Sequence, residues 1–333
     1  MIKQLLILAT ALGLNAHSPR CAHKLPELHV QWVDDARESH YIRSAYLKSH
    51  IFSLFNRESF AKHQLPAGDI TYRNEPNQSV ASAELSAAIE QATQELYAGL
   101  PLTQFTVLKD KEFNRKIVSG SLILKHKDHP FVVKMFIENP KSFLTPSENG
   151  FQHAVMHRIT GGVNRYLSGF SRIENLERVQ ALVSSIKVPM ELDFPRKWYW
   201  TPVKNRWFEV HGVNFNGKEY RMQLPSVYAV VADHIESSLT TADMRRMHRR
   251  NMFDIFKAYD FEIDPNTKNF KIEDGTQKMV LIDTEHFPTV IGKKVRARGY
   301  NSLYLQLGRI GISKGFNNPK PRTLVTDAIV AEN

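Results

Sequence analysis

The spacing of apolar residues divides the chain into a helical beginning and a strand-rich remainder. From Leu28 to about His63, apolar positions recur mostly three and four residues apart: Leu28, Val30, Trp32 and Val33, then Tyr41, Ile42, Ala45 and Tyr46, then Ile51, Leu54 and Phe55. This period predicts helix. A polar loop, QLPAGDITYRNEPNQS, is followed by a second predicted helix from about Val80 to Tyr97, with Ser79 or Ser82 as its cap. After Gly99 and Pro101 the texture changes. The runs FTVLKD, KIVSGSLILKH and PFVVKMFIE are rich in β-branched and aromatic residues and joined by short polar turns, so they read as strands.

Helical signals then return. Thr145-Pro-Ser-Glu148 matches a capping box and opens a predicted helix through Val155 and Ile159 to Gly161, and another covers about Ile173 to Ile186. Strands follow at Lys197 to Pro202, Trp207 to Phe215 and Glu219 to Leu224, the last two joined by the hairpin signal Asn216-Gly217. The apolar strand SVYAVVADHI leads into a long helix from about Thr241 to Tyr259, then a hairpin and a mixed tail. Strands cluster in local antiparallel groups instead of alternating with helices, which predicts an α+β fold.

The 333 residues suffice for two domains, and 42% apolar with 23% charged residues excludes a largely disordered chain. A net charge of +10 favours anionic partners at encounter. The N-terminus, MIKQLLILATALGLNA, has the charged start, short apolar run and small-residue end of a signal peptide over 1–16. The expected location is therefore secreted or periplasmic. No later segment is apolar for long enough to span a bilayer, so no transmembrane segment is expected in the mature chain. A single cysteine, Cys21, excludes an intramolecular disulfide.

The candidate chemistry lies in the final hairpin, IDPNTKNFKIEDGTQKMVLIDTEHF. Asn269 to Asp274 and Lys278 to Asp283 read as antiparallel strands around the turn Asp274-Gly275-Thr276-Gln277. This pairing brings Asp283 beside the loop that carries Asp264 and Asn269. Two carboxylates and an amide oxygen are hard ligands suited to Mg²⁺ held together with phosphates. Upstream, Phe131-Val-Val-Lys134-Met-Phe sets one lysine inside an apolar strand, where its charge needs a carboxylate or phosphate unless it points to water.

These residues resemble the protein kinase superfamily. Asp264-Pro-Asn-Thr-Lys-Asn269 is similar to the D-x-x-x-x-N catalytic loop, Asp283 falls where the metal-binding Asp of D-F-G lies, and Val-Val-Lys134 resembles V-A-I-K. Ile282-Asp283-Thr284-Glu285 also resembles the I-D-F-E of choline and aminoglycoside kinases. The resemblance covers roughly Thr103 to Pro288. It implies a bilobal kinase-like fold: a helical N-terminal extension over 23–100, an N-lobe with an insertion and hinge over 103–239, and a reduced C-lobe over 240–325. ATP and Mg²⁺ are the implied cofactors. Lys134 is expected to bind the α and β phosphates, with Glu148 as its candidate partner and Ala232 in the adenine-holding hinge. Asp264 is expected to orient or deprotonate the acceptor hydroxyl, and Asn269 and Asp283 to hold the metal. The acceptor is a protein or a small molecule.

The chain departs from the family pattern at several points. Glu262-Ile263 replaces His-Arg before the catalytic Asp, Asp283-Thr-Glu replaces D-F-G, no G-x-G-x-x-G precedes Lys134, and the tail after Pro288 is short. A second reading is therefore a secreted pseudokinase, a binding module without efficient transfer. Other features carry less. His153 and His157 have zinc-helix spacing without the adjacent Glu, and Arg245, Arg246, Arg249 and Arg250 read as a solvated basic face. No G-x-S-x-G occurs. A nucleic-acid module would show steep salt dependence, and no stable nucleic acid complex is expected.

Overall fold

Leu28 and Val30 are buried while Glu27, His29 and Gln31 between them are only half-buried, and this two-residue alternation is that of a strand. In the computed structural model, which describes residues 25–43, 54–144, 165–183, 190–214, 217–259, 262–264 and 266–286, Glu27–Trp32 is strand β1 and His40–Arg43 is β2. The helix expected from Leu28 is thus corrected. Within the described part of Leu28 to His63 only Arg57–Lys62, α1, is helical, capped by Asn56. The deciding partner is distant in sequence: β1 pairs with a strand near residue 210, and a strand's partner is invisible to local periodicity.

The chain continues through β3 (Asp69–Thr71), β4 (Ser79–Ala81) and α2 (Ser82–Tyr97). Helix α2 agrees with the periodicity, but its cap is Ala81, not Ser79 or Ser82, and no side chain caps it. Strands β5 (Phe105–Asn114), β6 (Ser119–His126) and β7 (Phe131–Ile137) follow, then the short helices α3 (Pro140–Leu144) and α4 (Arg165–Gly169), and α5 (Arg172–Val183). After β8 (Leu192–Asp193) and β9 (Lys197–Trp200) come β10 (Trp207–Val213), β11 (Glu219–Pro225) and β12 (Val227–Asp233). Helix α6 (Thr241–Ala258) starts at a reciprocal capping box. The Thr240 hydroxyl accepts from Asp243 N at 3.2 Å and the Asp243 carboxylate accepts from Thr240 N at 3.2 Å. A 3₁₀ turn (Thr267–Asn269) and the hairpin β13 (Phe270–Ile272) and β14 (Met279–Leu281) complete the described elements.

The fold is α+β. Its central sheet is antiparallel with order β5-β6-β7-β12-β9, and a second sheet, β11-β10-β1-β2, joins the N-terminal strands to the hairpin between β9 and β12. The small sheet β13-β14-β8 sits under α6. One face of the central sheet, with Phe131, Val133 and Met135, buries against Leu85, Ile89 and Ala92 of α2. The other face carries Phe136, Tyr199, Tyr228 and Val230, which pack on Tyr166, Leu167 and Phe170 of α4 and the turn after it. Lys134 alternates with the first set and so belongs to the second face, as do Ala232 and Lys197. The register sets Lys134 opposite Val230, and Ala232 between Val132 and Lys197. Among the described residues no helix is long and apolar enough to cross a membrane.

Glu148, His153 and His157, the helix expected from Ser147, the N-terminal 24 residues and the tail from Phe287 lie outside the described residues.

Candidate active site

The buried run Met279-Val-Leu281 pairs with Phe270 to Ile272 as the sequence pattern implies, and the ladder ends where the chemistry begins. Ile282 N donates to Asn269 O at 2.8 Å, closing the hairpin so that Asp283 emerges beside the loop before β13. That loop is a tight self-bonded turn. Asn266 N donates to Asp264 O at 2.8 Å, Asn269 N to Asn266 O at 2.9 Å, and the Asn266 side chain accepts from Lys268 N at 3.1 Å. Asn269, buried, donates through Nδ2 to Asp264 Oδ2 at 3.1 Å and to its carbonyl at 3.3 Å. The local sequence thus ties the Asp264 carboxylate to the Asn269 amide.

From the sheet, Lys134 Nζ reaches Asp283 Oδ2 at 3.6 Å, with both side chains mostly buried. The lysine inside an apolar strand is therefore not an edge lysine. From the first turn of α5, Arg172 donates Nη1 to Asp283 Oδ1 and Nη2 to Glu285 Oε1, the latter at 2.8 Å. The Asp283 carboxylate also accepts from Glu285 N at 3.1 Å. Ser168 donates its hydroxyl to the same Glu285 oxygen.

Thr284, fully buried, ties three elements together. Its hydroxyl donates to Arg172 O at 2.5 Å and accepts from Lys197 Nζ at 2.8 Å. Asn175 Nδ2 donates to Thr284 O at 2.9 Å and Glu262 O at 3.3 Å, so α5 is pinned to both the Asp264 loop and the Asp283 segment. Arg178 pairs with Glu262 at 3.1 Å. Burial, reinforced by the charges of Arg172 and Lys134, pushes the Lys197 amine well below the usual lysine range. His286 forms an isolated antiparallel backbone bridge with Ile263, and its ring is pushed down to about 3 by burial and by Arg178.

Ala232 is half-buried near the end of β12, and the chain beyond it links the central sheet to the hairpin. Lys271 Nζ donates to Ile235 O at 2.5 Å, Asp274 N to Glu236 O at 3.0 Å, and Ser238 N to Asp274 Oδ1 at 3.0 Å.

Of the residues singled out from sequence, Lys134 and Asp283 meet directly, Asp264 and Asn269 form a bonded pair, and Ala232 lies on the Lys134 face of the sheet. Sequence reasoning missed Arg172, Lys197, Thr284, Asn175 and Glu285 as participants. A lysine opening the aromatic run Lys197-Trp-Tyr-Trp200 was the one available signal; Arg172 and Asn175 sit in an ordinary amphipathic pattern. Among the described residues no three His, Cys, Asp or Glu side chains gather as a ready-made metal cage. Comparison with family models, with curated proteins and with solved structures finds no match to this chain.

Proposed function

We propose that this chain is a phosphotransferase of protein kinase-like architecture. More specifically, it moves the γ-phosphoryl group of ATP to a hydroxyl of a protein or small molecule with Mg²⁺, and is exported by its N-terminal signal sequence. The observation that carries the reading is the approach of Lys134 to Asp283 at 3.6 Å, beside the bonded pair Asp264 and Asn269. Support also comes from the order of parts: the sheet order β5-β6-β7-β12-β9, a helix between the lysine strand and β9, a linker after β12, a long helix, then the Asp-Asn loop and Asp283.

In this reading Lys134 holds the α and β phosphates, and Ala232 borders the adenine. Asn269 and Asp283 fit a hard divalent cation, because one carboxylate and one amide oxygen leave the remaining positions to phosphate oxygens and water, as Mg²⁺ prefers. When bound, Mg²⁺ supplies charge neutralisation on the phosphates. Asp264 orients the acceptor hydroxyl. As the acceptor oxygen bonds to the γ-phosphorus, the bond to the bridging oxygen of ADP breaks and the hydroxyl proton passes to the Asp264 carboxylate. Such a reaction asks the protein chiefly for positioning and charge.

One observation favours a second reading, a pseudokinase that binds nucleotide without efficient transfer. Both oxygens of Asp283 are engaged by cations, Lys134 and Arg172, and a metal has to compete with them. Thermal melting with Mg²⁺ and ATP, combined with transfer of labelled phosphate, separates the possibilities. Stabilisation of the wild type but not of Asp283→Ala supports the nucleotide site. Transfer lost in Asp264→Ala with binding retained supports catalysis, whereas binding with no transfer by the wild type supports the pseudokinase. A melting temperature unmoved by saturating Mg²⁺ and ATP overturns both.

A further inference from the structure

Arg172 is only 3% exposed, and its guanidinium is not fully used. Nη1 and Nη2 are taken by Asp283 and Glu285, but Nε is buried with no hydrogen-bond partner among the described residues. A buried charged donor left unpaired is rare enough to need an explanation. A second basic group, Lys197, lies beside it, and burial with the Arg172 charge disfavours its protonated form. Its Nζ is buried and donates to the neutral hydroxyl of Thr284, with no ion-pairing carboxylate among the described residues. Both groups lie on the side of the central sheet where Lys134 meets Asp283. The loop between β5 and β6, which in a nucleotide site covers the phosphates with backbone amides, contains no glycine, and the nearest, Gly120, lies within β6 opposite Phe113.

We propose that Arg172 is a phosphate ligand of the nucleotide site, exchanging the Asp283 carboxylate for a phosphate oxygen of the bound polyphosphate. This rests on the nucleotide reading above and extends it. The exchange is balanced in charge: as Asp283 turns its carboxylate to the metal, the freed Nη1 of Arg172 meets an incoming anion. A planar guanidinium, with donors on two edges, can keep Glu285 while taking phosphate, which a lysine's point charge does less well. The position opens α5, so phosphate binding would also fix that helix against the sheet.

Binding of ATP with Mg²⁺, of adenosine and of inorganic tripolyphosphate to the full chain, measured by titration calorimetry, tests this. The paired substitution Arg172→Gln with Glu285→Gln removes the cation and its matching carboxylate together. It is expected to weaken ATP and tripolyphosphate by about tenfold or more while leaving adenosine within about twofold. A second measurement avoids dependence on that variant. Without metal, Asp283→Asn is expected to bind tripolyphosphate more tightly than the wild type, because Arg172 is released, and adding Arg172→Lys should reduce that gain. Unchanged ATP affinity in the paired variant, or an undiminished gain after Arg172→Lys, overturns the role of Arg172 while the nucleotide reading stands. A wild type that binds neither ATP nor tripolyphosphate overturns both.

Discussion

Lys134 Nζ lies 3.6 Å from Asp283 Oδ2, one group from the middle of a central strand and the other from just past the final hairpin. The contact satisfies a lysine that the apolar strand around it could not tolerate alone. It also draws the second cation, Arg172, to the same carboxylate, so that Asp283 is where sheet, helix α5 and hairpin meet.

Removing Arg172 should therefore cost stability as well as any binding. The guanidinium is buried and pairs with two carboxylates, and Arg172→Met leaves Asp283 and Glu285 without it. Breaking one side of a buried ion pair typically costs about 3–5 kcal/mol. Urea unfolding of Arg172→Met is expected to show a loss of that order, partly recovered when Glu285→Gln is added. A loss below about 1 kcal/mol would mean the carboxylates find water or another cation instead.

Thr284 offers a narrower test. Thr284→Val keeps the volume but removes the hydroxyl that donates to Arg172 O and accepts from Lys197 Nζ. Two buried groups lose a partner at once, and each such orphan costs roughly 1–3 kcal/mol. The expected result is a lower urea midpoint with an unchanged m-value. Thr284→Ser, which keeps the hydroxyl, should recover most of it.

How far the sequence announced this arrangement depended on the range of the interactions. The hairpin pairing Phe270 with Leu281 was legible because its turn and both strands are local, and α2 was legible because one face repeats over sixteen residues. Strand β1 was not, because Leu28 and Val30 owe their burial to β10, and three- and four-residue spacings among apolar residues imitated a helix. Lys134 stood out because a charge inside an apolar run is locally anomalous. Arg172, Asn175 and Thr284 did not, because their role comes from contacts between residues more than eighty positions apart, which no spacing encodes.

Close packing at Gly169 yields a prediction away from the site. A Cβ at this position would lie 2.0 Å from the Tyr228 hydroxyl and 2.9 Å from the Phe136 ring. Both rings are buried, and Tyr228 stacks on Phe170 at 4.2 Å and on Phe136 at 4.7 Å, so neither can swing aside. Overpacking of this kind costs about 1–3 kcal/mol or more. Gly169→Ala should lower the melting temperature, and Tyr228→Phe in the same chain should restore part of it, since it removes the oxygen nearest the added methyl. No recovery would mean that the backbone of α4, not the hydroxyl, absorbs the clash.

Glu138, just past the end of β7, makes stability depend on pH. Its carboxyl is completely buried and accepts from Ser119 Oγ at 3.0 Å and Ser142 Oγ at 2.5 Å. Burial raises it from the ordinary 4.5 to about 7, and the two hydroxyls offset only part of that. Between these two values the folded chain keeps a proton that the unfolded chain has released. Stability from this group is thus fullest below pH 4.5, falls as pH rises toward 7, and is constant above. The total change is on the order of 3 kcal/mol. Glu138→Gln keeps an acceptor for both serines but does not titrate, so subtracting its unfolding free energy from that of the wild type isolates the carboxyl from every other group. The difference is expected to move against the wild type by roughly that amount between pH 4 and pH 8. Two parallel pH profiles in urea would mean that Glu138 titrates alike in the folded and unfolded chain and that its pocket admits water.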